Sequence, residues 1–438
     1  MEEKTFKIGY NSVTVKPVNA KLAPDFMRGF DASAVNDPYY KDKYLDDDGS
    51  KKDVFEILKN HGVNWIRLRI WNDPENKNNP EVAGASNLEN VVDQAARAKK
   101  YGMKVLLDFH YSDYWADPGK QAIPQEWKDC KTPEEMALHI EQWTEKVLAS
   151  LNQAGASPDM IQIGNEINSG ILTGYYQKGK MKKVSAKISG SLSIAKANYV
   201  KYLESGINAA RKVCPSAKIM LHVAEGGGEI AWLLDIYKNA NLDYDVIGLS
   251  YYPFEKSHGK LENLSKNIKS FQKTYKKDVV IAETAHPWKT DAPKGADLLN
   301  ATNNLSDNKG NLYEGISSNE GTVLANPQNQ ANVIRAVMEV SANAGAKGVF
   351  VWGGEYSGSD YTNDLAYIRA HLYDFSAQVK TNLTLYAVWA ETVTVTFDLR
   401  YYSSYGYNHN WNGPTDNTYY VRTSTNPLQY VVTLEKGD

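Results

Sequence analysis

Two glutamates follow apolar, strand-like runs: Glu166 in QIGNEINSGIL and Glu283 in VVIAETAHPW. Buried strands seldom finish on a lone carboxylate, because desolvating an unpaired charge is costly. Two carboxyl groups about 5 Å apart are the arrangement of retaining glycoside hydrolysis. One attacks the anomeric carbon; the other protonates the leaving oxygen and then activates water. Beside a first carboxylate, the second keeps its proton near neutral pH. On these grounds Glu283 is assigned as nucleophile and Glu166 as acid/base. Glu225 in HVAEGGGE and Glu355 in VWGGEYSG also follow apolar runs, but among glycines, where a loop role or a sugar-hydroxyl contact is favoured.

Such a pair needs a scaffold that holds two strand ends face to face. Eight apolar, β-branched runs supply it: 27–33, 63–71, 103–110, 159–166, 218–224, 245–252, 278–284 and 347–353. Amphipathic stretches lie between them at 51–60, 87–101, 134–153, 196–213, 229–240, 260–276 and 328–344. Thr132-Pro133-Glu134-Glu135 marks the third helix start, and Gly62, Gly102, Gly155 and Gly345 follow helix ends. Repeated β-then-α units predict an α/β fold, a closed (β/α)8 TIM barrel. Its C-terminal rim would carry Asp31, Arg69, Trp71, His110, Glu166, Tyr252, Glu283 and Trp352, with strands four and seven opposed.

Alternation puts Trp65, Arg67, Arg69 and Trp71 on one face of WIRLRIW, Arg69 and Trp71 nearest the rim. Arg69 is therefore the expected partner of the nucleophile, and Arg67, lying deeper, is read as structural. Asp31 and Asp108 would bind sugar hydroxyls or hold Arg69; a buried ion pair is the equal alternative. His110 is expected to hydrogen-bond a sugar or Asn165. Trp115, in the loop SDYWADPGKQ, suits a subsite floor, and Trp288 and Trp352 are further platforms.

The chain has 438 residues, ample for a large barrel, with 49 Lys plus Arg against 52 Asp plus Glu. That balance gives no pull toward nucleic acid or an anionic membrane, and no apolar run is long enough to span a bilayer. The start, MEEKTFKIGY, lacks the apolar core of a signal peptide, leaving a cytosolic protein or one whose signal has been removed. The 29 Tyr and 10 Trp suit a sugar-handling surface. Cys130 and Cys214 fall near opposite ends of the barrel, so two free thiols are expected. No His or Cys pair has zinc spacing. Residues 1–24 read as an N-terminal extension and 25–380 as the barrel, its eighth helix only in TNDLAYIRAHLYDF. Residues 381–438, with period-two alternation in NLTLYAVWAETVTVTFDLRYY, read as a small, incomplete β appendage.

GFDAS, WIRLRIWNDP, VLLDFHYSDYWADPGKQ, IGNEINSGIL, DVIGLSYYPF and VIAETAHPW together resemble glycoside hydrolase family 53, the endo-β-1,4-galactanases, over roughly residues 25–355. The resemblance implies a clan A barrel that hydrolyses β-1,4-galactan, a pectin side chain, internally and with retention. It places the acid/base at Glu166 and the nucleophile at Glu283, with Asn165 on the sugar 2-hydroxyl. It implies no required cofactor. Many bacterial members carry a calcium loop after strand seven; KTDAPKGADLLNATNNLSDNKGNLYEG lacks that pattern, so no metal is expected. SYYPFEKSHG departs from the family's aromatic subsite. The tail LYDFSAQVKTNLTLYAVW resembles the end of a bacterial surface-protein repeat, which implies a secreted or surface-displayed enzyme; a monomer is expected. Two rivals stand beside this: another clan A glycanase, such as a mannanase or cellulase, and a non-catalytic glycan-binding protein on a dead barrel.

Overall fold

The computed structural model describes residues 4–8, 11–38, 41, 44, 46, 50–80, 85–287, 301–319, 322–353, 418–423 and 426–433. Eight parallel strands close a barrel: β1 (Met27–Asp31), β2 (Trp65–Ile70), β3 (Lys104–Phe109), β4 (Met160–Ile163), β5 (Lys218–Val223), β6 (Val246–Ser250), β7 (Asp278–Thr284) and β8 (Gly348–Val351). Each strand pairs with its sequence neighbour, and β8 closes on β1. Among the described residues, seven helices alternate with them: α1 (Val54–Asn60), α2 (Leu88–Lys100), α3 (Pro133–Gln153), α4 (Lys196–Val213), α5 (Ala231–Asn239), α6 (Leu261–Tyr275) and α7 (Pro327–Asn343). The (β/α)8 barrel expected from the alternation is present. TNDLAYIRAHLYDF lies outside the described residues.

The chain divides into two compact units, Met1–Val388 and Trp389–Asp438. In the first, Lys4–Ile8 and Asn11–Val15 form an antiparallel hairpin ahead of the barrel. In the second, Thr418–Thr423 pairs antiparallel with Asn426–Thr433. NLTLYAVWAETVTVTFDLRYY lies outside the described residues.

Local signals explain the helix boundaries. Thr132 Oγ1 accepts from Glu135 N (3.2 Å), and Pro133 opens α3 where no donor is needed. Glu135 returns its carboxylate to Lys131 N (2.6 Å), one residue before the usual capping-box partner. Gly62 and Gly102, with φ of 84° and 71°, end α1 and α2 in the left-handed region that glycine enters freely. Cys130 and Cys214 are free and buried, as expected.

The barrel interior is layered. Met27, Trp65, Leu106, Met160, Met220, Val246, Val280, Ala282 and Phe350 form an apolar floor. One residue pair higher, the same alternation brings in polar groups: Asp31, Arg67, Asp108, Gln162, His222 and Ser250, all buried. β7 departs from alternation. Ile281 pairs with Leu249, but the next pair is Ser250 with Glu283; against β8 the register also shifts between Ile281 and Thr284. One extra residue therefore sits in β7 at a bulge. Val280 and Ala282 face the floor, and the bulge lets Glu283 face inward too.

Packing at the floor is tight enough to test. A Cβ on Gly29 would lie 2.2 Å from the Phe350 ring, whereas one on Gly248 would press on the flexible Met220 side chain at 2.5 Å and touch Ala282 Cβ at an ordinary 3.4 Å. Gly29→Ala is expected to destabilise the barrel by about 1–3 kcal/mol through overpacking, and Gly248→Ala by less. Paired denaturant unfolding curves check the order; equal losses would contradict the packing described.

Candidate active site

Arg67 is the centre of the polar layer. Its Nη1 meets Asp31 Oδ2 and Glu283 Oε1, each at 2.8 Å. Its Nη2 donates to Asp108 Oδ2 and Asn165 Oδ1, again at 2.8 Å, and Nε donates to Gln162 Oε1 at 3.2 Å. Burial alone would favour a neutral guanidinium, but the charges of Asp108, Glu283 and Asp31 outweigh it and hold the proton firmly. The expectation that Arg69 would pair with the nucleophile candidate while Arg67 stayed structural is corrected. Glu283 reaches down from the bulge, so the deeper arginine meets it. Asp31, fully buried, bonds Arg67 and Ser33; the ion-pair alternative describes it, and a sugar contact does not.

Glu283 is almost wholly enclosed. Oε1 takes the Arg67 bond, and Oε2 accepts from the Tyr252 hydroxyl at 2.6 Å. Burial pushes its carboxyl up from the ordinary range, with the Arg67 charge and Tyr252 hydroxyl pulling the other way. Donors on both oxygens suit an ionised, fixed carboxylate. The Tyr252 hydroxyl is itself pushed well up, by burial first and then by Glu283, so it remains a donor.

Glu166 lies beyond strand β4, which ends at Ile163 rather than at 166 as expected. Gly164 and Glu166 both adopt positive φ, 81° and 47°. Left-handed backbone breaks the ladder, and in a non-glycine residue it is a strain that the surrounding structure must hold. Gln121 Nε2 donates to Asn165 O at 2.8 Å and fixes that turn from the 112–121 loop. The Glu166 carboxyl is pushed up to about 8, by burial first and by the Glu283 charge second. The Ser250 hydroxyl pulls the other way, favouring the carboxylate. The two glutamates thus share one cleft in unlike settings, Glu283 clamped by two donors and Glu166 pushed toward its protonated form by burial and the neighbouring charge.

The cleft has a volume of about 430 Å3 and includes Arg69, His110, Trp115, Asn165, Tyr252 and Trp352 in its lining. Trp115 stands over the Arg69 guanidinium (4.0 Å to the ring centroid) and meets Trp352 edge-on (6.1 Å). Tyr252 continues the wall to Trp352 (6.3 Å). Trp71 is not part of that lining. It is buried behind Trp115 and donates to His110 Nδ1 (3.0 Å), so its expected substrate contact is corrected to a buttress. His110 Nδ1 also accepts from Ala116 N (3.1 Å), and Nε2 faces Asp108 Oδ2 (3.0 Å). Both ring nitrogens are therefore committed, and its expected bond to Asn165 or a sugar is not made. The histidine beside Asn165 is His222, on β5 (2.8 Å). One Asn165 amide hydrogen goes to Ala116 O (2.8 Å); the other is available to the cleft.

Arg67, His222, Ser250, Asp117, Lys120 and Phe254 also build or line this region and were not singled out as site residues from the sequence. Inward alternation on β5 and β6 was the signal available for His222 and Ser250. Trp288, Glu355 and residues 289–300 of the loop considered for calcium lie outside the described residues. Among the described residues, no group of three or more His, Cys, Asp or Glu side chains is arranged to hold a metal ion.

A family model described as Glycosyl hydrolase family 53 matches residues 27–386. An arabinogalactan endo-beta-1,4-galactanase of Cellvibrio japonicus is 33% identical over 334 residues, covering 75% of this chain and 80% of that protein. An endo-beta-1,4-galactanase of Bacillus subtilis is 32% identical over 363 residues, covering 80% and 75%. Among solved structures, an Ignisphaera aggregans GH53 catalytic domain superposes with a TM-score of 0.64 at 33% identity, covering 78% of this chain and 88% of that one.

Removing the central cation would strand three buried carboxylates. Arg67→Met is expected to cost about 3–5 kcal/mol of stability, the penalty for breaking a buried ion pair on one side. Chemical unfolding measures it; a loss under about 1 kcal/mol would mean that Arg67 does not hold the layer together.

Proposed function

The chain belongs to glycosyl hydrolase family 53, and on that premise we propose that it is an endo-acting, retaining β-1,4-galactanase. The observation that carries the assignment is the pair of unlike glutamates in one aromatic-walled cleft. Glu283 Oε1 or Oε2 attacks the anomeric carbon as the Glu166 proton passes to the leaving glycosidic oxygen. The sugar is then joined to Glu283 as an ester, and Glu166 is a carboxylate. Glu166 next takes a proton from water, whose oxygen attacks the same carbon and releases Glu283. Two inversions give net retention.

The substrate contacts follow from what lines the cleft. Trp115 and Trp352 offer faces and edges to sugar rings, and Arg69 extends the Trp115 platform. Asn165 presents an amide hydrogen beside the acid, suited to the 2-hydroxyl of the sugar being cleaved. No cofactor enters any step. We assign catalysis to the barrel alone, acting as a monomer, with residues 381–438 as an appendage. A polysaccharide of plant walls is met outside a cell, which supports export. No helix among the described residues is long and apolar enough to cross a membrane.

Digestion of potato galactan, with products sized and the newborn anomer followed by proton NMR, tests the function. Internal cleavage to short β-1,4-galacto-oligosaccharides, first formed as the β-anomer, is expected. Cleavage of mannan or cellulose in preference to galactan would transfer the assignment to another glycanase. Glu283→Ala should lose roughly four or more orders of magnitude in kcat, the scale of covalent catalysis; a mild effect would favour a binding protein. Because Glu166 must carry its proton to act as acid, kcat/KM should fall as pH rises through about 8. A profile still flat at pH 9 would contradict that role.

A further inference from the structure

The segment that joins β4 to α4 carries a charge that no hydrolytic step uses. From Ile167 to Leu203 the sequence holds seven lysines and no aspartate, glutamate or arginine, in a chain whose total charge is nearly balanced. Four of the seven fall in KGKMKK, residues 178–183. Here Gly174–Gln177 pairs antiparallel with Lys180–Lys183. Lys178 and Gly179, with φ of 50° and 73°, make the two-residue turn between them.

The pairing decides what each face of the hairpin shows. Directly opposed residues share a face, so Tyr175 stands with Lys182 and Gln177 with Lys180. Gly174 and Tyr176, on the other face of their strand, are buried. The outer face therefore carries a half-buried Tyr175 beside exposed Gln177, Lys180 and Lys182. Lys99, Lys120, Lys201, Lys212 and Lys218 each hold a carboxylate. Lys178, Lys180, Lys182 and Lys183 form no ion pair among the described residues. The hairpin is also firmly seated. Tyr176 meets Tyr114 edge-on (5.8 Å), and Tyr114 lies against Trp71 (5.6 Å), the buttress of Trp115. At its foot Thr173 N donates to Gln121 O and Ile123 N to Gly174 O, each at 2.6 Å; at its tip Gly179 N donates to Asn78 O (2.9 Å). The cationic face is thus joined to the loop that brings Trp115 and Lys120 to the cleft.

We propose that the outer face of this hairpin binds a carboxylated polysaccharide, a run of uronic acid sugars to which the galactan being cleaved is attached. A neutral galactan gives four unpaired lysines nothing to neutralise. A uronate chain offers one carboxylate per sugar and an apolar ring face for Tyr175. Lys180 and Lys182, two residues apart on one strand, set their charges about 7 Å apart at the backbone, a sparse spacing that flexible side chains can match to successive sugars. Lysine is a hydrated, rotatable point charge suited to carboxylates that stay in water. Single-stranded nucleic acid is gripped instead by arginine and a series of stacking aromatics, and this face has no arginine and one ring. Holding the acidic chain beside the cleft makes capture of its neutral branch an intramolecular step, which raises the effective substrate concentration. For the attached branch, the inference rests on the galactanase reading.

The full chain is titrated with oligogalacturonate by calorimetry, and kcat/KM is measured on two substrates: neutral β-1,4-galacto-oligosaccharides, and galactan still joined to its uronate-bearing backbone. The double variant Lys180→Glu with Lys182→Glu should weaken oligogalacturonate binding about tenfold or more, since it turns two attractions into repulsions. Its kcat/KM on the uronate-bearing galactan should fall about tenfold, while the value on the neutral oligosaccharides stays within about twofold of the parent. Raising NaCl to about 0.5 M should reproduce the loss in the parent and change the variant little. Lys180→Gln with Lys182→Gln, which adds no charge, should show a smaller loss of the same kind and decides the matter if the glutamate variant does not fold. Unchanged oligogalacturonate binding in the variants would overturn the proposal, as would equal losses on the two galactans. Polyuridylate bound by the parent as tightly as oligogalacturonate would also overturn it, by showing a general polyanion surface. If the parent cleaves neither galactan, the galactanase reading fails, and the oligogalacturonate titration still decides whether the hairpin binds uronates.

Discussion

One guanidinium inside the barrel organises nearly everything above it. Arg67 is shared among Asp31, Asp108 and Glu283, and its remaining donors fix Asn165 and Gln162. Burying that much charge is costly unless every group is bonded, and here the bonds are made. The arrangement also rations charge. One cation already faces three carboxyl groups, so a fourth anion at Glu166 would add repulsion beside Glu283. The raised proton affinity of Glu166 is the counterpart of the arginine's loyalty to Glu283. In the proposed reaction, acid and nucleophile are distinguished by a single asymmetric contact rather than by any difference in the two side chains.

The cleft surface is rigid for a related reason. Its aromatic groups lean on one another and on buried partners: Trp71 supports Trp115, and His110 ties Trp71 to Asp108. Neutral sugars offer no charge to grip, so recognition depends on flat faces held at fixed angles. The residues that look most suited to stacking in the sequence divide accordingly into those that form the wall and those that stand behind it.

Much of this organisation is legible in the sequence. The eight runs and the intervening helical patterns locate the barrel to within a few residues, because period-two and period-3.6 alternation follow directly from burial on one side. Glu166 and Glu283 are legible as unusual charges after apolar runs. Depth along a strand is not. Arg67 and Arg69 share a face, and only the reach of a carboxylate from the opposite stave decides which one it meets. Trp71 and Trp115 are likewise equivalent on paper; the fold of the 112–121 loop places one behind the other. His222 and Ser250 are ordinary inward residues until their nitrogen and oxygen atoms are seen in line. The turn at Gly164 and Glu166 depends on tertiary contacts that no local pattern records.

The extra residue in β7 has a consequence for how this site could arise or be transplanted. Strand geometry offers side chains to the interior two by two, and Val280 and Ala282 obey it. Without the bulge, Thr284 would be next in line and Glu283 would point into the helical shell. A barrel that borrowed the sequence of this strand but kept an unbroken ladder would therefore inherit the glutamate and lose its place in the cleft. Grafting the chemistry means copying a miscount in the backbone, not only a list of side chains.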